Sequence, residues 1–339
     1  MTRVFDGHND VLSRLWKAGA GAADGFLAGD GEGHLDLPRA RAGGLAGGCF
    51  AVFTCSADER GHGSDAPYAP VAHDRALREA LAQVAVLHRL ERASGGHVRV
   101  VRSVEDLEGD ALAALLHLEG AEPIGPGLDV LEVLHAAGMR SLGLAWSRPN
   151  EYATGVPFSF PGSPDQGPGL SHAGRALVRE CRDLRILIDL SHLNARGFWD
   201  VAEIGGGPLI ASHSGAHALC PSPRNLTDDQ LRAIGASGGV VGINFHVGFL
   251  RADGADDPET PVAAIAQHAA HVAGVAGVDA VALGSDFDGA TMPAAMGDVR
   301  GLPLVLDALR AAGFGEADVA KIAWGNWIRV VSQALPRRR

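Results

Sequence analysis

Hydrophobic residues along the chain form two alternating kinds of segment. Short apolar runs alternate with longer Ala- and Leu-rich runs whose apolar positions recur at helical spacing. The short runs predict eight β-strands, near residues 3–8, 45–55, 112–119, 140–146, 185–192, 208–213, 239–245 and 279–286. The longer runs predict helices near 70–93, 128–138, 171–184, 195–203, 225–237, 260–276 and 302–313, with a closing pair near 316–333.

This alternation predicts parallel strands joined by right-handed crossovers. Eight such units most simply close into a (β/α)8 barrel, and a doubly wound open sheet is the alternative. A barrel builds its active site from the ends of many strands, whereas an open sheet concentrates it at one switch point. Candidate ligands or acids end five different predicted strands: His8, Glu119, His192, His213 and Asp286. We therefore predict an α/β fold of the TIM-like (β/α)8 class, forming a single domain over residues 1–339.

The segment 148–170 follows the fourth predicted strand and is rich in Pro and Gly. It is too polar and interrupted for a regular element, so we predict a long loop. A loop directly after a barrel strand opens on the active-site end. This one is therefore either a lid over the site or simply a long surface loop.

Composition narrows the range of partners. The chain has 339 residues, 46% of them hydrophobic, and a formal net charge of −11. It has no sustained basic stretch outside its C-terminal tail, which argues against nucleic acid and anionic membranes as partners. No run is long and apolar enough to span a membrane, and the first strand leaves no room for a signal peptide before it. The four cysteines suit reduced structural thiols, and together these features predict a cytoplasmic protein.

The strand ends carry a candidate metal centre. Side chains two apart in a strand share a face, so His8 and Asp10 point the same way and can hold one divalent metal. Glu119 adds a carboxylate, and His192 and His213 add imidazoles for a second metal. Two metals ~3.5–4 Å apart need a shared ligand, and the Glu119 carboxylate is the natural bridge. This donor set suits two Zn²⁺ ions, with iron, manganese or cobalt as alternatives.

Each of these residues also has a structural alternative. A buried histidine is often a hydrogen-bonded core residue, Asp10 could cap the following helix, and Glu119 could pair with an arginine. Taken together, these alternatives would bury privately paired or unpaired charges at five strand ends, which is costly. A shared metal site is therefore favoured.

Hydrolytic chemistry follows from such a centre. Paired metals lower the pKa of bound water, so a metal-bridging hydroxide could attack a carbonyl. Asp286 is the candidate for carrying a proton to the amine leaving group, and Asp288 competes for that role from the same strand face. Arg224 either holds a substrate carboxylate or pairs with a structural acid such as Asp228. His246, at the end of the seventh strand, is a candidate for lining the pocket.

The motifs resemble those of the membrane (renal) dipeptidase family of metallopeptidases, within the amidohydrolase-like barrels. The matching segments occur in order from the first strand to about residue 331: Asp6-Gly7-His8-Asn9-Asp10, Glu119-Gly120, Ile188-Asp189-Leu190-Ser191-His192, Ser212-His213-Ser214, Arg224-Asn225, Gly284-Ser285-Asp286-Phe287-Asp288-Gly289, and Asn326 with Arg329. The resemblance implies a bacterial-type binuclear zinc dipeptidase. Such enzymes cleave free dipeptides, tolerate D residues at the second position and commonly form homodimers.

The resemblance also implies residue roles. It implies that His8 and Asp10 bind one zinc and His192 and His213 the other, with Glu119 as the bridge. It has Arg224 hold the dipeptide's C-terminal carboxylate, and Asp286 meet the amino end and the leaving nitrogen. In one departure, Trp146 stands where mammalian members carry a substrate-binding histidine that contacts the carbonyl oxygen. An indole N–H can donate one hydrogen bond but cannot carry positive charge.

The sequence therefore predicts a zinc-dependent dipeptidase, a hydrolase that acts on free dipeptides and includes L-D dipeptides among its substrates. The first alternative is another amide hydrolase of the same architecture, acting on N-acyl amino acids or cyclic amides. A catalytically silent metal-binding protein, suggested by Trp146 alone, is the second. Capped substrates separate the first two, because a dipeptidase needs both free ends.

Overall fold

The computed structural model describes residues 2–56 and 68–338. The strands of this part of the chain are β1 Val4–Asn9, β2 Leu45–Phe53, β3 Val98–Val100, β4 Leu112–Glu119, β5 Met139–Gly143, β6 Leu187–Asp189, β7 Ile210–Ser214, β8 Val240–Ile243 and β9 Val281–Leu283. All of their pairings are parallel, and β2 pairs with both β1 and β4, which closes the sheet. Eight strands, β1, β2 and β4–β9, thus form the predicted barrel. The short β3 pairs only with the start of β4, next to Leu112–Ala114.

The helices surround the barrel. They are α1 Val11–Ala18, α2 Ala22–Ala28, α3 Leu37–Gly43, α4 His73–Ala93, α5 Asp129–Ala136, α6 His172–Asp183, α7 Ala195–Ile204, α8 Asp228–Ala236, α9 Val247–Leu250, α10 Ala263–Ala276, α11 Leu302–Ala311, α12 Glu316–Ala320 and α13 Asn326–Val331. Every helix predicted from the sequence is present. The sequence analysis did not predict β3 or the one-turn α9, which are too short to show a period, and it did not predict the three helices α1–α3.

Five predicted strands end earlier than expected: β2 and β8 by two residues, and β5, β6 and β9 by three. β5 ends at Gly143, β6 at Asp189 and β9 at Leu283, so Trp146, His192 and Asp286 lie in the loops that follow. His192 and Asp286 have positive φ angles of 66° and 65°, which no strand accommodates. These residues are therefore placed by tight turns at the strand ends, and not by the strands themselves.

The two ends of the barrel interior differ. At the N-terminal end, Trp327 of α13 packs with Phe5 and Leu115 in an apolar cluster, and its indole N–H donates to the Leu283 carbonyl at 2.9 Å. This cluster fills the floor of the barrel. Polar side chains replace it towards the C-terminal end, where Glu119 stands at the end of β4. Any site in the barrel therefore opens at that end, as barrel geometry predicts.

The segment 148–170 forms an irregular loop, as predicted. Its backbone makes isolated bridges between Pro149 and Thr154 and between Gly155 and Leu193, and it contains no helix. None of the helices in residues 2–56 and 68–338 combines the length and the apolar composition needed to cross a bilayer.

Candidate metal centre

The five predicted metal ligands meet inside the C-terminal end of the barrel, and all are buried. Glu119 lies at their centre. Its Oε1 is 2.9 Å from His192 Nε2 and 3.7 Å from His213 Nε2. Its Oε2 is 3.6 Å from His8 Nε2, which in turn is 3.5 Å from Asp10 Oδ2. Two potential ligand groups result, one on each side of a shared Glu119 carboxylate.

The donor atoms of this cluster suit metal ions. Both ring nitrogens of His8 and Oδ1 of Asp10 are buried without a hydrogen-bond partner in the described residues. Each unpartnered buried polar atom costs about 1–3 kcal/mol. The Nε2 atoms of His192 and His213 also converge, at 2.9 Å. Divalent cations would engage these lone pairs, so the residues fit a metal centre of imidazoles and carboxylates.

Two of the structural alternatives, a helix cap at Asp10 and an arginine partner for Glu119, are not found in the described part of the chain. Asp10 stands at the N-terminus of α1, but its side chain makes no capping hydrogen bond. Glu119 pairs with histidines and with no arginine.

Protonation states in the cluster favour metal binding at most positions. Burial raises the pKa of Glu119, but His8 and His192 outweigh it and hold that pKa well below 4.5. Burial lowers the pKa of His192 to about 4 and that of His213 well below 6.5, so both imidazoles are neutral at pH 7. His8 differs, because Glu119 and Asp10 overcome its burial and raise its pKa well above 6.5.

Hydrogen bonds behind the cluster orient two of the histidines. Ser147 Oγ lies 2.7 Å from His192 Nδ1, and Ser212 Oγ lies 2.7 Å from His213 Nδ1. The Ser212 hydroxyl donates to Asp189 Oδ2 at 2.5 Å, so it accepts from the His213 Nδ1–H. This pairing leaves the Nε2 lone pair of His213 directed to the cluster, as metal-binding histidines require.

The structure separates the two candidate acids. Asp288 does not share a strand face with Asp286, because both lie in a turn after β9 and have positive φ. Asp288 is occupied: it accepts from Arg14 Nε at 2.9 Å and from the His34 backbone N–H at 2.5 Å. Asp286 accepts from Asn244 Nδ2 at 3.1 Å. It also forms a potential ligand group with two of the histidines, which places its carboxylate at the centre.

Arg224 is buried beside the cluster and makes no ion pair with the described acids. Asp228, its alternative partner, lies 2.7 Å from His271 instead. Arg224 donates to the His213 carbonyl at 3.0 Å, while its Nε has no hydrogen-bond partner in the described residues. Burial lowers the pKa of Arg224 to about 10, against the raising influence of Asp286 and Glu119. A buried arginine with an unused donor suits an anionic group of a ligand.

A cavity of 420 Å³ opens onto the cluster. Four of the predicted ligands, Asp10, Glu119, His192 and His213, line it together with Asp286. Trp146 and the candidate pocket residue His246 line it as well, but His246 lies directly before α9 and not at the end of a strand. Arg224 is not among the lining residues, but its guanidinium carbon lies 5.4 Å from the ring centroid of Phe249, which is.

Sequence reasoning missed several residues that support the site. Asp189, Ser212, Ser147 and Asn244 each hydrogen-bond a candidate functional side chain or its partner. Asp189 and Ser212 stood within the quoted motifs, but their pairing depends on β6 lying next to β7, which no single segment reveals.

Comparisons with known proteins agree with this geometry. A family model described as membrane dipeptidase, peptidase family M19, matches residues 1–338. A metallo peptidase from Rhodobacter sphaeroides, whose crystal structure holds a phosphinate mimic of the dipeptide L-Ala-D-Ala, is 44% identical with a TM-score of 0.93, covering 98% of this chain and 99% of that one. The metallo peptidase dipeptidase AC is 45% identical with a TM-score of 0.92 and the same coverage. Dipeptidase aclJ of Aspergillus oryzae is 30% identical over 98% of this chain and 78% of its own length.

Proposed function

The chain belongs to the membrane dipeptidase family, peptidase family M19, and on that premise we propose that it is a binuclear zinc dipeptidase whose substrates include L-D dipeptides. Membership makes it a metallo-dipeptidase on a TIM barrel. The relative that carries an L-Ala-D-Ala mimic supports the choice of L-D dipeptides.

One observation carries the proposal of two metals. Glu119 offers one carboxylate oxygen to His8 and the other to His192 and His213, so two ligand groups share it. A bridging carboxylate is the usual way in which a protein holds two metals close together. His8 and Asp10 would hold one zinc, and His192 and His213 the other.

Bound zinc would supply an activated water for attack on the peptide carbonyl. Side chains of the protein would then carry out the proton transfers. Asp286, oriented by the Asn244 amide, can accept the proton that the attacking water loses. It can return that proton to the peptide nitrogen as the C–N bond breaks, so that a neutral amine leaves. Its carboxylate would also pair with the substrate's ammonium group.

Arg224 would hold the other end of the substrate. It is a buried cation with an unused donor, close to His213, and a dipeptide carboxylate would satisfy both needs. Recognition of both charged ends explains why such an enzyme would act on dipeptides and reject longer peptides.

Trp146 would line the substrate site without the charge that a histidine could provide there. It is half-buried, and its ring centroid lies 5.7 Å from that of His192. At most its indole N–H would contribute one hydrogen bond to the substrate. More of the stabilisation of the developing oxyanion would then fall to the metals.

Three further features belong to the proposal. We infer one catalytic domain over residues 1–339, a lid function for the loop 148–170, and the homodimer that the family resemblance implies. The four cysteines are all unpaired and buried, which supports a reducing compartment such as the cytoplasm.

The experiment is amino-acid release from L-Ala-D-Ala by zinc-loaded protein, beside a chelated sample and N-capped and C-capped substrates. We expect metal-dependent release from the free dipeptide alone. Cleavage of a capped form without the free dipeptide would favour an acyl-amino-acid or cyclic amide hydrolase. No turnover of any substrate would favour a silent metal-binding protein.

Metal content tests the shared ligand. Wild-type protein should bind two equivalents of zinc, and Glu119→Gln should bind fewer and lose activity. Glu132→Gln, on the exposed face of α5, is the matched control and should bind two. One equivalent in the wild type would refute the binuclear centre.

A further inference from the structure

Four aromatic side chains form a continuous surface on the cavity: Phe53, Trp146, Phe158 and Phe249, called here the aromatic wall. The ring centroids of Phe53 and Trp146 are 5.3 Å apart, as are those of Trp146 and Phe158, and those of Phe158 and Phe249 are 5.5 Å apart. These are the spacings of mutually packed aromatic rings. The wall therefore presents one connected apolar face to a ligand.

The wall begins at the end of the site that would take the substrate's carboxylate. The Arg224 guanidinium carbon lies 5.4 Å from the centroid of Phe249. The acid that would receive the amino end comes from another loop, because Asp286 follows β9. A dipeptide held by Arg224 and Asp286 would thus place its second residue next to the wall.

The wall offers no free charge to a ligand side chain. Arg148 stacks on it, with its guanidinium carbon 5.2 Å from the Trp146 centroid and 5.4 Å from that of Phe53. Its charge is already paired, since its Nε donates to Glu122 at 2.8 Å and the whole side chain is buried. The cation packs against the wall, and the rings themselves present an apolar surface to the substrate.

The exposed ring of Phe158 favours contact between the aromatic wall and a large apolar side chain. Phe158 is 44% exposed, whereas the other three residues of the aromatic wall are more buried, and it belongs to the loop 148–170. Its backbone N–H donates to the Tyr68 hydroxyl at 3.0 Å, which holds the ring at the cavity mouth. Covering this exposed ring with apolar surface is favourable, and a methyl group covers little of it.

We propose that the aromatic wall is the subsite for the side chain of the C-terminal residue and that it selects dipeptides with large apolar or aromatic second residues. This inference rests on the proposed function and adds the substrate class to it. Large apolar groups gain from such a pocket by roughly tenfold or more in kcat/KM.

The test compares kcat/KM for three dipeptides: L-Ala-D-Phe, L-Ala-D-Ala and L-Phe-D-Ala. The wild type should prefer L-Ala-D-Phe to L-Ala-D-Ala by at least about tenfold, without the same preference for L-Phe-D-Ala. Phe158→Ala and Trp146→Ala should each lower the D-Phe to D-Ala ratio several-fold. Phe160→Ala is the matched control, because Phe160 is 38% exposed in the same loop and does not line the cavity; it should leave the ratio unchanged.

The possible outcomes distinguish failure of this inference from failure of the proposed dipeptidase function. Release from L-Ala-D-Ala without preference for a D-Phe residue would overturn the inference alone. So would a preference that follows the first residue, or a ratio that Phe160→Ala changes as much as Phe158→Ala does. Failure of the metal-loaded enzyme to cleave any of the three dipeptides would overturn the proposed function and the inference with it.

Discussion

Replacing Asp189 by Asn would show how strongly hydrogen bonds behind the cluster control metal binding. Asp189 is buried below His213; it accepts from the backbone N–H groups of Ser191 and Ser212 at 3.1 and 2.7 Å and from the Ser212 hydroxyl at 2.5 Å. Burial raises its pKa, but His117 and these hydrogen bonds outweigh burial and hold the pKa below 3.8. The carboxylate is therefore ionised at neutral pH, and an amide of the same size removes its charge.

The structure suggests two effects of this substitution. The negative charge no longer polarises the Ser212–His213 pair, and losses of this kind typically weaken metal binding by about 10–100-fold. The new amide also presents donors where Oδ2 accepted from a hydroxyl. One misplaced donor should cost about 1–3 kcal/mol of unfolding free energy. Metal affinity and stability should both fall.

Asp106→Asn is the matched control. Asp106 is also buried, and its Oδ2 accepts from two backbone N–H groups and from the Ser103 hydroxyl. It lies after β3, at the floor end of the barrel, and is not part of the cavity lining. Zinc affinity measured by chelator competition should fall only in Asp189→Asn, whereas thermal stability should fall in both. An Asp189→Asn affinity within twofold of the wild type would refute the reasoning.

Three further predictions concern the centre and the barrel. His8 carries a proton that a bound metal must displace, so zinc added at pH 7 should release protons, and zinc affinity should rise from pH 6 to pH 8. An indicator dye in weak buffer measures the released protons, and a constant pH on zinc addition would contradict this prediction. Asn244→Ala removes a hydrogen bond to the Asp286 carboxylate and should lower kcat by about tenfold, with a smaller change in KM. A kcat within twofold of the wild type would exclude a role for Asn244 in orienting Asp286. Gly284→Ala would place Cβ 1.9 Å from a carbonyl oxygen inside the barrel and should lower the free energy of unfolding, measured with denaturant, by about 3 kcal/mol. Gly274→Ala, in open space on α10, is the control and should raise that free energy by about 0.5–1 kcal/mol. Equal effects of the two substitutions would show that the barrel relaxes freely around the added methyl group.

The sequence was informative about the barrel because each strand is buried on both faces. β4 illustrates this: all of Leu112–Glu119 is buried, and its continuous apolar run predicted the strand with the bounds observed. Its last residue, Glu119, could be expected to meet His8 because the C-terminal ends of parallel barrel strands lie at one rim. Candidate ligands at strand ends could therefore be grouped before any distance was known.

Local pattern failed where strands gave way to turns. The predicted strands near 185–192 and 279–286 included His192 and Asp286, but both residues adopt left-handed backbone conformations beyond the strand ends. Hydrophobicity records burial, and residues in a buried turn are as hidden as those in a strand. Periodicity therefore could not tell the two apart.

The sequence by itself determined the barrel, the family and the set of candidate ligands, because these follow from patterns within single segments. Only the tertiary structure decided which acids are free to act. Asp288 pairs with Arg14, 274 residues away, and Asp228 pairs with His271, so Asp286 and Arg224 remain the residues that we propose for the substrate. It also brought Phe158 against Trp146. Hydrogen bonds and ring contacts act over a few ångströms in space, and chain separation does not constrain them, so these partners became visible only when the barrel closed.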